Sequence, residues 1–217
     1  MSPASVPPAT SVHLKRRSGV GAWLFRHRTA VPLPIAIAIL AIPSGQTPAE
    51  TAAVLSGIAL SSLGEGVRMW AVRHIGVISR TRSDRLGPLI ETGPFGLVRN
   101  PLYLGNIAIW VGFTLAARLL WLAPLVLAVL AAEYHAIVRW EERLLEARLG
   151  DAYREYVCRV PRWFPMLTGR ADKTAPGRTT ERSGVAAYSW RDVLFSERGT
   201  LVAIAAGYAL LWSKARF

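Results

Sequence analysis

Two polar stretches enclose the most apolar part of the chain and decide its fold. The first reads TGPFGLVRNPLYLG at residues 92–105, and the second reads EERLL at residues 141–145. The segment between them is largely uncharged and is long enough for two helices that cross a membrane and return, since one crossing takes about 20 residues. Such a hairpin predicts that both polar stretches lie on the same side of the membrane.

Apolar blocks continue on both sides of this hairpin. Hydrophobic residues make up 52% of the 217 residues, and the mean hydropathy is +0.28. A soluble domain would distribute such residues periodically rather than in long blocks. The sequence therefore predicts an all-α, polytopic integral membrane protein with four to five transmembrane helices. The uncharged blocks cover residues 29–49, 51–64, 101–117, 119–132 and 199–213.

The same pattern divides the chain into four segments. Residues 1–28 form a basic, partly disordered N-terminal segment, and residues 29–168 form the membrane core. Residues 169–198 are a polar linker, and residues 199–217 are a C-terminal hydrophobic segment that would supply the fifth span.

Within the core, the first two spans are expected at residues 30–43 and 51–74. The fourth span is expected to begin at residue 119 and to continue beyond residue 140 as a polar helix that ends at Gly150. Three glycines of the second span permit close helix packing, and a Glu/Arg pair three residues apart on one face can form an ion pair. These residues are Gly57, Gly64 and Gly66, and Glu65 with Arg68.

Basic residues are distributed unevenly along the chain. A net charge of +12 could suggest nucleic-acid binding, but the arginines cluster before the first span, after the second and after the fourth. The connections at residues 44–50 and around Arg118 carry almost no positive charge. By the positive-inside rule, the N-terminus and both polar stretches are cytoplasmic. The basic rim favours anionic lipid head groups rather than nucleic acid, and the composition, rich in Ala and in Arg over Lys, points to a bacterial inner membrane.

The remaining ionisable or reactive side chains give no sign of a metal centre. Cys158 is the only cysteine, which excludes an intramolecular disulfide, and the four histidines show no ligand spacing. No metal site is expected. Glu133 and His135, near the end of the fourth span, are expected at the membrane interface.

The two polar stretches and a third that follows them resemble a family of membrane enzymes. The third reads YREYVCRVPRWFP at residues 153–165. In this order and at this spacing, the three resemble the integral-membrane methyltransferases that use S-adenosylmethionine, the superfamily of isoprenylcysteine carboxyl methyltransferase and phospholipid N-methyltransferase. The resemblance covers about a third of the chain. It has one departure, since the usual histidine of the family is Asn100 here.

The resemblance implies S-adenosylmethionine as the cofactor and a cytoplasmic site for it. The carboxylate of this molecule calls for an arginine and for free backbone N–H groups at a helix start. Its ammonium and ribose hydroxyls call for carboxylates, and its sulfonium favours an aromatic ring. Glycines would permit close backbone approach. The expected cofactor-binding residues are Gly93, Leu97, Val98, Arg99, Asn100, Tyr103, Gly105, Glu141 and Glu142.

The predicted reaction is methyl transfer to a lipophilic acceptor that reaches the site from the bilayer. The acceptor is an isoprenylcysteine-like carboxylate, a lipid amine, or a small thiol or phenol. A carboxylate would need a cationic clamp such as Arg159 or Arg162, whereas an amine would need a group that takes its proton, for which Glu142 is available. With Arg99, these are the expected catalytic residues. The alternative is a non-catalytic membrane protein of the same fold that has lost the cofactor, with Asn100 as the mark of that loss.

Overall fold

The computed structural model describes residues 19–44, 50–76, 89–165 and 188–216. The described residues form seven α-helices and a short 3-10 helix, and they contain no strand, which confirms the predicted all-α fold for this part of the chain. The N-terminal residues 1–18 and most of the predicted linker lie outside it. The helices are α1 (Val20–His27), α2 (Leu33–Ala41), α3 (Glu50–Ile75), α4 (Pro101–Ala116), α5 (Ala123–Leu149), α6 (Asp151–Arg159) and α7 (Trp190–Lys214), and the 3-10 helix Gly93–Gly96 precedes α4.

Two helices, α5 and α7, are long and apolar enough to cross a membrane by length and composition. Helix α4 is apolar but shorter, and α3 is long but carries charges in its middle. Helix α2 has nine residues, about 14 Å at 1.5 Å per residue, which is too short for a hydrocarbon core of about 30 Å. The four to five predicted spans are therefore confirmed only in part.

The expected first span is replaced by the two short helices α1 and α2. Proline accounts for the interruption, because its missing N–H and fixed φ suit the first turn of a helix and not its interior. Pro32 and Pro34 stand at the start of α2, and Pro43 follows its end.

Helices α3 and α4 pack antiparallel through two pairs of glycines. A Cβ on Gly57 would lie 2.5 Å from the carbonyl oxygen of Gly112, and one on Gly64 would lie 2.7 Å from that of Gly105. Both distances are too short for a side chain, so the absence of one lets the two backbones touch. The packing predicted for Gly57 and Gly64 is confirmed. Gly66 was predicted to share it but faces open space.

Helix α7 begins at Trp190, ahead of the predicted boundary at residue 199. Ser189 caps it by accepting a hydrogen bond from the Asp192 backbone N–H at 3.3 Å. The helix is held to α3 and α4 by polar contacts within the bundle. Tyr208 donates to Ser61 Oγ at 2.8 Å, and Arg68 is the centre of a larger cluster. The Arg68 guanidinium donates to Glu65 (3.2 Å), Asn106 (2.5 Å), Glu197 (2.7 Å) and Thr200 (3.4 Å), which confirms the predicted Glu65–Arg68 pair.

Helix α5 runs without a break from its apolar first part into the polar stretch EERLL at residues 141–145. Gly150 ends it with φ of 56°, as its position in the sequence predicted. Leu130 and Ile137 on this helix are fully buried in the main core. Glu133 is also buried, with 5% of its surface exposed. Its predicted position at the membrane interface stays a prediction.

The helical bundle has two ends. At one end, Arg118 forms an ion pair with Glu50 at 3.1 Å, and Lys214 Nζ donates to the Ile39 carbonyl at 2.7 Å. At the other end, α3 finishes beside the 3-10 helix, where a Cβ on Gly93 would lie 2.3 Å from His74 Nε2. The α4–α5 hairpin therefore leaves from this second end and returns to it, as predicted.

Candidate functional site

The loop that precedes α4 is fastened to the chain segment that follows α6. The backbone N–H of Arg99 donates to the Pro161 carbonyl at 2.9 Å, and Asn100 Nδ2 donates to the Arg162 carbonyl at 3.3 Å. The Tyr156 hydroxyl donates to the Phe95 carbonyl at 2.8 Å. These bonds join residues 92–105 and 153–165, which are far apart in sequence, into one polar surface at the end of the bundle.

Glu142 lies between two arginines on this surface. Arg162 Nε and Nη2 donate to its two carboxylate oxygens at 3.1 and 2.5 Å, and Arg99 Nη1 lies 3.2 Å from Oε1. The side chains of Arg99 and Glu142 are only 9% and 13% exposed, so this ion pair is shielded from water, whereas Arg162 is 32% exposed. The two-pronged hydrogen bond from Arg162 is the stronger contact, and it raises the pKa of Arg162.

Buried tyrosines surround the Arg99 guanidinium. Tyr153 and Tyr156 on α6 are each 3% exposed. Burial raises the pKa of Tyr153 to about 12, the charge of Glu142 adds to the rise, and Arg99 opposes it. These phenols therefore stay neutral at physiological pH and act as hydrogen-bonding groups rather than as bases.

Glu141, the neighbour of Glu142, belongs to a second part of the site. It accepts a hydrogen bond from the Tyr103 hydroxyl at 3.0 Å. The Tyr103 ring stacks on that of Tyr134, with centroids 4.8 Å apart. A carboxylate and an aromatic ring thus lie side by side at the start of α4, next to the cluster of Arg99, Glu142 and Arg162.

Several donors of the site carry no partner within the described part of the chain. Arg99 Nε and Nη1 are buried and make no hydrogen bond there, although Nη1 is ion-paired with Glu142. A buried unsatisfied donor is costly, by about 1–3 kcal/mol, so such atoms indicate a place for an acceptor. The side chain of Asn100 does not cap α4, because it binds the Arg162 carbonyl instead. The start of this helix is therefore open to an acceptor as well.

The other predicted site residues have different surroundings. Arg159 pairs with Glu91 at 2.8 Å and is 57% exposed. Leu97 is exposed and Val98 is buried. Gly105 serves helix packing, because a Cβ there would lie 2.6 Å from the Gly64 carbonyl oxygen.

Sequence reasoning missed Tyr134, Arg28 and Glu133. The ring of Tyr134 lies against that of Tyr103, and the charge of Arg28 acts on both tyrosines and on Glu141. Both carboxylate oxygens of Glu133 are buried without a hydrogen-bond partner among the described residues. Only Glu133 gave a signal in the sequence, as an acidic residue inside an apolar block. No three His, Cys, Asp or Glu side chains in the described ranges converge as metal ligands would.

The central part of the chain matches a known protein family. Residues 52–152 match the family model described as phospholipid methyltransferase. The match covers a little under half of the chain, and the matching family lies within the superfamily of isoprenylcysteine carboxyl methyltransferases. The methyltransferase region contains α3 to α5 with the loop before α4 and both Glu141 and Glu142, and it ends before Arg159 and Arg162.

Two curated relatives match most of the chain at low identity. A nickel-cobalt-cadmium resistance protein of Alcaligenes xylosoxydans xylosoxydans is 26% identical over 160 residues, which are 70% of this chain and 70% of the relative. A cobalt-zinc-cadmium resistance protein of Cupriavidus metallidurans is 25% identical over 177 residues, 77% of this chain and 76% of the relative. No solved structure matches the chain significantly.

Proposed function

We propose that this protein transfers a methyl group from S-adenosylmethionine to a lipophilic acceptor at the cytoplasmic face of a membrane. The observation that carries the proposal is the polar surface at the end of the bundle. There the region of the methyltransferase family brings Arg99, Tyr103, Glu141 and Glu142 together, and Arg162 joins them from outside that region.

The donor groups of this surface fit the polar parts of S-adenosylmethionine. The Nε–H of Arg99, which has no partner in the described part of the chain, and the uncapped start of α4 suit the carboxylate. Among the described residues, Glu141 accepts one hydrogen bond, from Tyr103, and so retains capacity for an ammonium or a ribose hydroxyl. The Tyr103 ring can lie against a sulfonium, which is worth about 0.5–2 kcal/mol depending on desolvation.

Methyl transfer from S-adenosylmethionine requires the protein mainly to align the two reactants and to exclude water. S-adenosylmethionine supplies a methyl group that is already activated by a positively charged sulfur. The nucleophilic lone pair of the acceptor forms the new bond to the methyl carbon as the carbon–sulfur bond breaks, and the thioether leaves with the bonding electrons. The buried Arg99 and Tyr134 side chains and the partly buried Tyr103 would hold the reactants in line and keep water out.

The ion pairs and hydrogen bonds of the charged residues indicate which of them can act on the acceptor. Glu142 is held by two arginines, so it is poorly suited to take a proton from an amine, and Glu141 is the better proton acceptor. Arg159 and Arg162 are both paired with carboxylates. A carboxylate acceptor would therefore have to share Arg162 with Glu142, and an amine or thiol acceptor would not.

The surface of the bundle supports access from the bilayer. Large apolar side chains are exposed on both candidate spans, including Leu125 and Leu127 on α5 and Val202 and Trp212 on α7. Apolar surface of this kind suits lipid rather than water. We therefore place the protein in a membrane, in the bacterial inner membrane by composition, with its site facing the cytoplasm and anionic head groups around its basic rim.

Replacement of Glu141 by Gln tests the proposal most directly. It should weaken S-adenosylmethionine binding by about 1.5–3 kcal/mol, the scale of a charge-assisted hydrogen bond. Glu146→Gln is the matched control, since Glu146 lies on the same helix but is 49% exposed and pairs with Arg154, which is 62% exposed. Calorimetry on purified protein measures binding, and transfer of a labelled methyl group into a lipid extract measures activity. The proposal is wrong if the wild-type protein neither binds S-adenosylmethionine nor transfers the labelled methyl group to any class of acceptor.

The curated relatives suggest a physiological setting for this reaction. Both are named as resistance proteins against divalent metals. We propose that methylation by this protein contributes to metal tolerance of the host. A deletion strain should grow less well on nickel, cobalt, zinc or cadmium, and the wild-type gene should restore growth where the Glu141→Gln variant does not. If the Glu141→Gln variant restores growth fully, metal tolerance does not depend on methyl transfer, and this proposal is wrong.

A further inference from the structure

Helix α1 lies outside the region of the methyltransferase family but packs against α5 beside the proposed site. A Cβ on Gly21 would lie 2.6 Å from the Ala136 carbonyl oxygen, so α1 touches the backbone of α5. The rings of Phe25 and Trp140 lie 5.1 Å apart at the next turn. This packing holds Arg28, the residue that follows α1, beside α5, where its charge reaches Glu141.

Arg28 is close to the second part of the site without being paired there. Its guanidinium lies over the Phe25 ring, 4.2 Å from the centroid, and its charge acts on Tyr103, Tyr134 and Glu141. In the described ranges, however, no carboxylate lies within ion-pair distance of it. Its Nη1 is buried and makes no hydrogen bond there. A buried cationic donor of this kind leaves room for an anionic acceptor.

Arg28 and Arg99 differ in how their charges are balanced. Arg99 shares Glu142 with Arg162, whereas Arg28 and Glu141 both act on Tyr103 without forming an ion pair with each other in the described ranges. A positive and a negative group held apart in this way complement a ligand that carries both charges. The stacking of Arg28 on Phe25 fixes the guanidinium in place, which reduces the side-chain entropy lost on binding.

We propose that Arg28 is a ligand-binding residue of this site and holds an anionic group, a carboxylate or a phosphate, opposite Glu141. The inference rests on the proposed function in that the site takes a charged donor or acceptor of methyl groups. The carboxylate would come from S-adenosylmethionine, and the phosphate from a phospholipid head group. In either case α1 and the residue that follows it complete a site that the family region builds only in part.

Three variants of the full-length protein in detergent test this role. Arg28→Gln removes the charge, and Arg28→Lys keeps the charge without the planar fork. Arg26→Gln is the control, because Arg26 lies on the same helix, is exposed, and donates only to the Ala22 carbonyl at 3.3 Å. Melting temperatures check that each variant folds. If Arg28→Gln does not fold, the comparison uses Arg28→Lys.

Calorimetry with S-adenosylmethionine and with its decarboxylated analogue separates the two sources of the anion. If Arg28 holds the carboxylate, Arg28→Gln weakens binding of S-adenosylmethionine about tenfold or more and leaves that of the analogue unchanged. If it holds a phosphate, cofactor binding is unchanged, and Arg28→Gln loses the phosphatidylglycerol that wild-type protein retains in native mass spectrometry.

An Arg28→Gln variant that behaves like Arg26→Gln in both measurements overturns the proposal. Failure of the wild-type protein to bind S-adenosylmethionine at all would instead overturn the proposed function. The phosphatidylglycerol measurement would then still decide the role of Arg28, so the two failures are distinguishable.

Discussion

At the scale of single residues, the position of Glu142 gives it two tasks at once. It neutralises Arg99, and it ties Arg162 and the segment after α6 to the end of α5. From the sequence alone, Glu141 and Glu142 would be expected to act alike. The structure separates them, because Glu141 has one neutral partner, Tyr103, while Glu142 has two charged ones.

We therefore expect different results from the same change at the two positions. Glu142→Gln leaves two guanidinium groups without their shared counter-charge, so it should lower the free energy of unfolding by about 1.5–3 kcal/mol as well as weaken cofactor binding. Glu141→Gln should affect binding with little change in melting temperature. Thermal melting in detergent at matched protein concentration compares them. Equal melting temperatures would contradict a structural role for the Glu142 ion pairs.

Asn100 has a contact that bears on its difference from the family histidine. Its Nδ2 donates to the Arg162 carbonyl at 3.3 Å, so the amide holds the loop before α4 to the segment after α6. A histidine could donate the same kind of hydrogen bond, but only histidine can carry a proton near neutral pH. If hydrogen bonding is the role of this position, asparagine preserves it.

Substitution at Asn100 distinguishes an active enzyme from a non-catalytic relative. Asn100→His should change cofactor affinity by less than about 1.4 kcal/mol, within tenfold. Asn100→Ala should lose about 0.5–1.5 kcal/mol, the worth of a neutral hydrogen bond. Binding by calorimetry and turnover with labelled methyl donor provide the comparison. A large gain in turnover for Asn100→His over an undetectable wild-type rate would support the non-catalytic alternative.

At the scale of helices, the antiparallel contact between α3 and α4 determines where the site stands. The pairs Gly57 with Gly112 and Gly64 with Gly105 bring the backbones together over two turns, and Ser61 adds a hydrogen bond to the Ile109 carbonyl at 3.3 Å. Because α4 begins at the site, its placement against α3 also places Tyr103 relative to Glu141.

A pair of alanine substitutions on α3 tests this contact. Gly64→Ala puts a Cβ 2.7 Å from the Gly105 carbonyl oxygen, so the helices must separate, and overpacking of this kind costs about 1–3 kcal/mol. Gly66→Ala, two residues on, meets nothing within 4 Å and should be neutral or stabilising by up to about 1 kcal/mol, since alanine favours helix. Melting temperatures in detergent report the difference. Similar values for both variants would show that the glycine contact does not limit stability.

The sequence predicted those elements whose signals are local. The α4–α5 hairpin follows from two apolar blocks, a proline at the start of α4 and Gly150 at the end of α5. The early start of α7 was missed because Arg191, Asp192 and Glu197 resemble a polar linker, although Ser189 three residues before Asp192 is a cap signal.

Which residues contact each other in the site was harder to predict from the sequence, because these contacts join segments that are far apart in the chain. The motifs brought Arg99, Glu141 and Glu142 into consideration, but they could not say that Glu142 pairs with Arg162 while Glu141 does not. The approach of Arg28 to the site depends on how α1 packs against α5, for which no short sequence pattern exists.

At the scale of the whole molecule, the two ends of the bundle should face opposite sides of the membrane. The end with the proposed site carries Cys158, which is exposed on α6, and the other end carries Ser44 just beyond α2. By the positive-inside rule, the arginine distribution predicts that the first of these ends faces the cytoplasm. This orientation would also give the site access to S-adenosylmethionine, which is made in the cytoplasm.

Cysteine labelling in cells tests the orientation with one natural and one introduced residue. In intact spheroplasts, a membrane-impermeant maleimide should leave Cys158 of the wild-type protein unmodified and should label it after permeabilisation. In a Cys158→Ser background, Ser44→Cys should label without permeabilisation, because that end faces outward. The Cys158→Ser protein alone is the control and should not label in either state. Labelling of Cys158 from outside, with Ser44→Cys protected, would reverse the topology and remove the proposed site from its supply of methyl donor.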